Sequence, residues 1–389
     1  MNHRMKGRVE LGEPVVVSQA PETVRAWGPW QFPVLHRLPD GRLCVEFHKE
    51  ADSILAYGLP KGYAVSGDGG VTWQETPPMD IGLQLAGGDR LAPYLKKSEE
   101  IPSSAIQGEP VSENRSSYGP LQAYYRVKDL PKAHQVFYFK RQKRGETEWK
   151  EEQAFIEIPD ALKMRQSGHL PHSAFWRMRE APDGSIWGIH YQHARTADQA
   201  PVHFHCLFFR STDEGRTWEY RSTIAYEPDP QADEKSLLRD GFTEPDVCFL
   251  PDGSLYALFR TTDGHGIGPL YESRSLDNGK TWSRPAVFDS LGVWPNLLHL
   301  PESGITLAVY GRPGLFLRYS QDPECRVWSG RETVMLSGPQ EGINQDTCAY
   351  AGLIALNDNQ ALLVYSDFQY PRADGVPCKT ILARKITIT

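Results

Sequence analysis

Six of the twelve histidines fall between positions 169 and 205: His169, His172, His190, His193, His203 and His205. Imidazole titrates near neutral pH, so such groups are able to bind a substrate, pass a proton or ligate a metal. Gly168-His169-Leu170-Pro171-His172 precedes an apolar run and opens a strand-rich unit. His203 and His205 share one face of an extended segment by the two-residue period of a strand. The spacings match no closed zinc motif, so no metal is expected. Polar side chains at a strand rim are the first reading of the cluster, substrate recognition the second and a metal site the third. His169 and His172 are the two expected to face a substrate.

The elements that must position any such chemistry are set by two interleaved repeats. Ser66-Gly-Asp68-Gly-Gly70-Val-Thr72-Trp73, Ser211-Thr-Asp213-Glu-Gly215-Arg-Thr217-Trp218 and Ser275-Leu-Asp277-Asn-Gly279-Lys-Thr281-Trp282 follow one pattern. Ser320-Gln-Asp322-Pro-Glu-Cys-Arg-Val-Trp328 is a degenerate fourth copy with one extra residue and no glycine. In each, aspartate bonds its own turn, glycine supplies positive φ and tryptophan packs the next strand. A second set, Pro39-Asp40-Gly41, Pro182-Asp183-Gly184 and Pro251-Asp252-Gly253, joins pairs of apolar runs as tight hairpins. Each unit then reads as four antiparallel strands. The units lie near 24–78, 80–158, 165–228, 240–288, 290–337 and 342–389, which predicts an all-β, six-bladed β-propeller occupying the chain as one domain.

In the second unit, Tyr124-Tyr125-Arg126-Val127 and Val136–Arg141 are expected as blade strands, with 96–117 a polar insertion. The segment around residues 8–18 is expected to give the last blade its outer strand and close the ring. Ala232–Leu238 is a possible short turn of helix.

Composition narrows the partners. A net charge of −7 over 389 residues disfavours nucleic acid and anionic membranes. No apolar run reaches the length of a membrane span, and Met1–Glu10 has no apolar signal core, so a cytoplasmic protein is expected. The six cysteines form no CxxC pair and read as free, buried thiols. Nothing in the sequence sets an oligomeric state.

The Ser-x-Asp-x-Gly-x-Thr-Trp turns resemble the Asp boxes of the sialidase (neuraminidase) superfamily, and the resemblance covers nearly the whole chain. It implies a propeller fold and a site at the central channel. That site has three arginines clamping a carboxylate, a tyrosine nucleophile, a glutamate that activates it and an aspartate acid/base. Cys348-Ala349-Tyr350-Ala351-Gly352-Leu353 resembles the tyrosine segment. Thr243-Glu244-Pro245-Asp246 resembles the glutamate segment, with Arg260 as the second clamp arginine. Arg312 matches the third, with Arg318 its rival. Asp52 is the aspartate, with Glu50 its rival. The first arginine is replaced: Trp30-Gln31-Phe32-Pro33 stands where the family has a Y/F-R-I-P motif. Gln31 donates a hydrogen bond without charge, which removes about 1.5–3 kcal/mol from a carboxylate contact. Arg90 or Arg37 is a candidate to restore it.

A neutral phenol suits a sugar whose anomeric carbon bears a carboxylate, because a carboxylate nucleophile would be repelled. The implied function is an exo-acting glycoside hydrolase that removes a terminal acidic sugar with Tyr350 and Glu244 and needs no cofactor. Two alternatives stay open. One is a polysaccharide lyase on a uronate glycan, using Arg260, Arg312, a histidine and Tyr350. The other is a carbohydrate-binding propeller without turnover.

Overall fold

The computed structural model describes residues 8–115, 121–195, 201–262, 268–336 and 346–389. Six antiparallel units follow one another along the chain. The first pairs Val34–Arg37, Leu43–Phe47, Gly62–Ser66 and Gln74–Thr76; the second pairs Leu83–Gln84, Arg90–Pro93, Val136–Gln142 and Trp149–Phe155. The third has Arg177–Glu180, Ile186–Ala194, His203–Ser211 and Glu219–Ile224; the fourth has Gly241–Phe249, Leu255–Thr262, Leu270–Ser275 and Ala286–Asp289. The fifth has Val293–Leu300, Ile305–Gly311, Leu315–Ser320 and Glu332–Met335. The sixth pairs Ala351–Asn357, Gln360–Pro371 and Pro377–Ile388, and both Val9–Leu11 and Val15–Gln19 lie along Pro377–Ile388. The outer edge of the last unit is thus covered by the beginning of the chain.

Apolar strand faces meet between successive units. Leu91 and Phe139 pack with Phe175 and Ile186; Trp187 and Phe208 with Val247 and Ala257; Tyr256 and Leu258 with Leu297 and Ala308. Leu307 and Leu317 meet Leu363 and Leu382, and Leu362 and Val364 meet Leu43 and Val45 of the first unit. This last cluster brings the end of the chain back onto its start, as a propeller requires. The contact from first to second unit is lighter; there Ser98 Oγ donates to the Ile54 carbonyl at 2.9 Å.

The Asp boxes are built by side chains from their own turns. Asp68 Oδ1 accepts from the Val71 and Thr72 N–H groups and Oδ2 from Thr72 Oγ1, while Ser66 Oγ accepts from Gly70 N–H. Asp213 and Asp277 repeat these bonds with Thr217 and Thr281. In the degenerate copy, Asp322 accepts from the Glu324 and Arg326 N–H groups. The turn glycine also touches the unit before it. A Cβ on Gly279, whose φ is +71°, would lie 2.3 Å from the Trp187 ring.

The second unit differs from its sequence reading. Val136–Gln142 is a blade strand, but Leu121–Arg126 is not: it pairs with Ser112–Arg115 and Ala161–Gln166 in an added sheet. The polar segment 96–117 therefore includes strands of its own, and Glu99–Glu100 pairs with His169–Leu170. Alternation alone did not distinguish a blade strand from a strand of an insertion, since both bury one face. The Ala232–Leu238 segment holds a 3-10 turn at Ser236–Leu238. All six cysteines are buried and free. No helix among the described residues is long and apolar enough to cross a membrane.

Candidate active site

The first strands of several units open on a backbone irregularity that aims one side chain away from the sheet. In the fourth unit Thr243 pairs with Arg260 and Asp246 with Leu258, so Glu244-Pro245 bulges out. In the fifth, Val293 pairs with Gly311 and Asn296 with Val309, so Trp294-Pro295 does the same. Glu244 and Trp294 have φ of +52° and +49°, and Phe32, before Pro33, has +55°. Ala349, before Tyr350, has +61°. Non-glycine residues in this region cost about 1–3 kcal/mol each and gather where function holds them; bulges re-aim side chains in the same places.

The result is one contiguous cluster. Tyr350 OH donates to Glu244 Oε1 in a short contact. Arg260 Nη1 donates to the same Glu244 oxygen at 2.7 Å and to the phenol oxygen at 3.0 Å. Glu244 Oε2 accepts the Trp294 backbone N–H at 3.0 Å. The Trp294 ring stacks on Tyr350 at 4.2 Å, and Phe32 meets it edge-on at 4.9 Å. Glu244 and Tyr350 are 5% and 9% exposed, so the phenol–carboxylate pair is largely shielded from bulk water. Burial, followed by the charge of Glu244, pushes the Tyr350 phenol far above its ordinary value; Arg260 and Arg312 pull it back. Tyr350 is thus a neutral phenol with a proton acceptor already in contact.

Arg312 follows the strand Ile305–Gly311 and is buried, with Nη2 donating to the Cys348 carbonyl at 3.0 Å. Its guanidinium lies 5.8 Å from the Trp27 ring centroid. Trp27 Nε1 in turn donates to Asp52 Oδ2 at 3.1 Å, so this indole joins the aspartate to the arginine. Desolvation raises the Asp52 pKa despite its solvent-exposed edge, against the pull of the Trp27 hydrogen bond; the Glu244 charge adds to the rise. Gly28 lets the loop come this close: a Cβ there would sit 2.4 Å from Asp52 N and 2.5 Å from the Glu50 carbonyl. Glu50 itself is exposed.

Other expected residues are placed elsewhere. Gln31 is fully buried, its side-chain oxygen and nitrogen have no hydrogen-bond partner among the described residues, and its backbone carbonyl accepts the His48 N–H at 3.0 Å. Its neighbour Phe32 is the residue that touches Tyr350. Arg37 reaches the Ala355 carbonyl and Arg90 reaches Gln142, so neither joins the cluster. Arg318 is committed to the Ser329 and Phe288 carbonyls, whereas the charge of Arg312 acts on Tyr350 together with that of Arg260. His169 Nδ1 contacts the Ser167 carbonyl at 3.1 Å. His172 is 4% exposed and stacks on His134. Among the described residues, no hydrogen bond, ion pair or ring contact joins either histidine to Tyr350, Glu244, Arg260 or Arg312.

Residues not anticipated complete the cluster. Arg177, a third guanidinium, lies 5.2 Å over the Trp294 ring and pairs with Asp246 at 2.8 Å. Asp246 has no exposed surface; burial opposes its ionisation, but Arg177 and Arg179 hold its pKa below the ordinary value. This pairing occupies the charge of Arg177 inside the protein. Trp176 stands edge-on to both Trp294 and Tyr191, extending the aromatic wall. The visible signal was the recurring Phe32-Pro33, Glu244-Pro245 and Trp294-Pro295 steps at the starts of units.

Residues 107–372 match the BNR repeat-like domain family, and the chain belongs to it. It is similar in structure to a protein of unknown function from Dyadobacter fermentans (18% identity, TM-score 0.64), covering 98% of this chain and 99% of that one. It is similar to a Hadza microbial sialidase (17% identity, TM-score 0.51), covering 91% of this chain and 65% of the other. It is also similar to the GH93 α-L-arabinofuranosidase of Fusarium graminearum (14% identity, TM-score 0.51), covering 96% and 97%. No curated protein matches the chain in sequence. The fold is that of the sialidase-type propellers, an architecture that glycoside hydrolases use.

Proposed function

We propose that the chain is an exo-acting glycoside hydrolase that removes a terminal acidic sugar with retention at the anomeric carbon. The observation that carries this reading is the phenol of Tyr350 held by both Glu244 and Arg260. As the phenol oxygen bonds to the anomeric carbon, its proton passes to Glu244 and the glycosidic C–O bond breaks. Asp52 gives its proton to the leaving oxygen. Water, deprotonated by Asp52, then displaces the tyrosine and Glu244 returns the proton. Two inversions give net retention. Arg260 stabilises the phenolate as it forms, and Arg260 and Arg312 favour an anionic group on the substrate. Two arginines, Arg260 and Arg312, in place of a three-arginine clamp favour a uronic or other ulosonic acid over sialic acid itself.

The test is a panel of aryl sialosides, aryl uronides, aryl arabinofuranosides and uronate oligosaccharides. Aryl alcohol release from an acidic glycoside, lost in Tyr350→Phe, is the expected result. Release only from arabinofuranosides would overturn the acidic-sugar reading. A new conjugated double bond would indicate a lyase, and binding without turnover a lectin-like propeller.

A further inference from the structure

Away from this cluster, two buried imidazoles and one carboxylate converge at the junction of the second and third units. His134 ends the 3-10 turn Lys132–His134 that leads into the strand Val136–Gln142. His172 immediately precedes Ser173, whose carbonyl accepts the Tyr138 N–H. Glu99 lies on the added strand Glu99–Glu100. The two rings stack with centroids 4.3 Å apart. His134 Nε2 is 3.3 Å from Glu99 Oε2, and His172 Nε2 is 3.1 Å from Glu99 Oε1.

The backbone fixes which ring nitrogens are free. His134 Nδ1 faces the Pro171 carbonyl at 3.4 Å, and His172 Nδ1 faces the Ala133 carbonyl at 3.3 Å. Each ring thus bonds the residue preceding the other histidine. A carbonyl only accepts, so Nδ1–H is the donor, and in the neutral ring Nε2 then carries the lone pair, the arrangement of metal-bound histidines. Both Nε2 atoms are buried, and each faces a Glu99 carboxylate oxygen. With both rings neutral, two lone pairs and a carboxylate face one another, and a ring proton or a metal cation between them relieves the repulsion.

We propose that Glu99, His134 and His172 bind a divalent transition-metal ion of the zinc type. A tetrahedral ion with bonds of about 2.0–2.1 Å holds its ligand atoms about 3.3 Å apart. Each Nε2 lies near that spacing from one of the two Glu99 oxygens, and one ligand atom from each residue lies within 4.8 Å of the others. Binding requires the rings to open from their nearly parallel stack, 14° between planes, so that both lone pairs converge. The nitrogen-rich set selects zinc, cobalt or nickel over calcium or magnesium. The ion would cross-link the added sheet to the seam between two blades, with its fourth position open at the half-exposed Glu99.

Chelator-treated, desalted protein titrated with zinc chloride tests this by calorimetry, and cobalt chloride by visible absorption. One equivalent of zinc should bind, raise Tm, and give with cobalt the intense bands of a tetrahedral site. Glu99→Ala, at a surface position that the fold tolerates, should weaken binding at least tenfold and abolish the cobalt bands, and His134→Gln should do the same. No binding by the folded wild-type protein would overturn the proposal. So would equal affinity and equal Tm gain in Glu99→Ala, which would place the ion on other groups.

Discussion

Arg260→Met separates the electrostatic role of the arginine from its bulk. Arg260 and Glu244 have side chains only 11% and 7% exposed, so removing the guanidinium strands a carboxylate in a dry site. Breaking a buried pair from one side costs about 3–5 kcal/mol of stability. Glu244 keeps the Trp294 N–H and the Tyr350 hydroxyl, which places the expected loss at the lower end of that range. Activity falls for another reason: the developing phenolate loses a charge-assisted donor held 3.0 Å away. Such a bond is worth about 1.5–3 kcal/mol, or about 10- to 150-fold in kcat/KM. Glu244→Gln alone leaves an arginine without its counter-charge, and the double variant leaves neither. The double variant should therefore lose less stability than the two single losses summed, by about 1–3 kcal/mol, while recovering no activity. Denaturant midpoints and kcat/KM on an aryl glycoside measure both quantities. Additive stability losses, or wild-type kcat/KM in Arg260→Met, would refute the coupled role.

Two further perturbations test the proton donor and the blade contacts. Burial raises the Asp52 pKa, so its proton is retained to higher pH and the rate should fall as pH rises through that raised value. Asp52→Asn should remove this basic limb of kcat/KM and lose most activity on substrates with poor leaving groups; an unchanged limb would assign it to another group. Gly279→Ala combines a left-handed φ, costing about 1–2 kcal/mol, with a collision against buried Trp187, adding about 1–3 kcal/mol. Gly253, at φ +81° with nothing within 4 Å of its would-be Cβ, should lose only the first amount as Gly253→Ala; equal losses in chemical denaturation would contradict the packing argument.

The Asp boxes were legible because all their bonds close within a few residues, so the motif carries its own geometry. The resemblance also selected Tyr350, Glu244, Arg260 and Arg312, and these residues lie in one cluster. Trp294 was not legible, because its bond to Glu244 uses a backbone N–H 50 residues away, which no side-chain pattern announces. Trp27 joins Asp52 to Arg312 by packing and one indole hydrogen bond, equally invisible in spacing. Gln31 occupies the motif position of an arginine yet is fully buried, since Phe32 takes the contact with Tyr350. Tyr124 and Tyr125 read as blade residues because an inserted sheet alternates as a blade does. The histidines were gathered by closeness in sequence, whereas the structure gathers His134 with His172 and Glu99 across blades.

The central claim is that Tyr350 becomes covalently linked to the sugar. Rapid-quench peptide mass spectrometry on the protein turning over a reactive fluorinated acidic glycoside tests it directly. A glycosyl adduct on the peptide containing Tyr350, absent from Tyr350→Phe, is the predicted result. Turnover with the adduct on Glu244 or another carboxylate, or with Tyr350 unmodified, would contradict it.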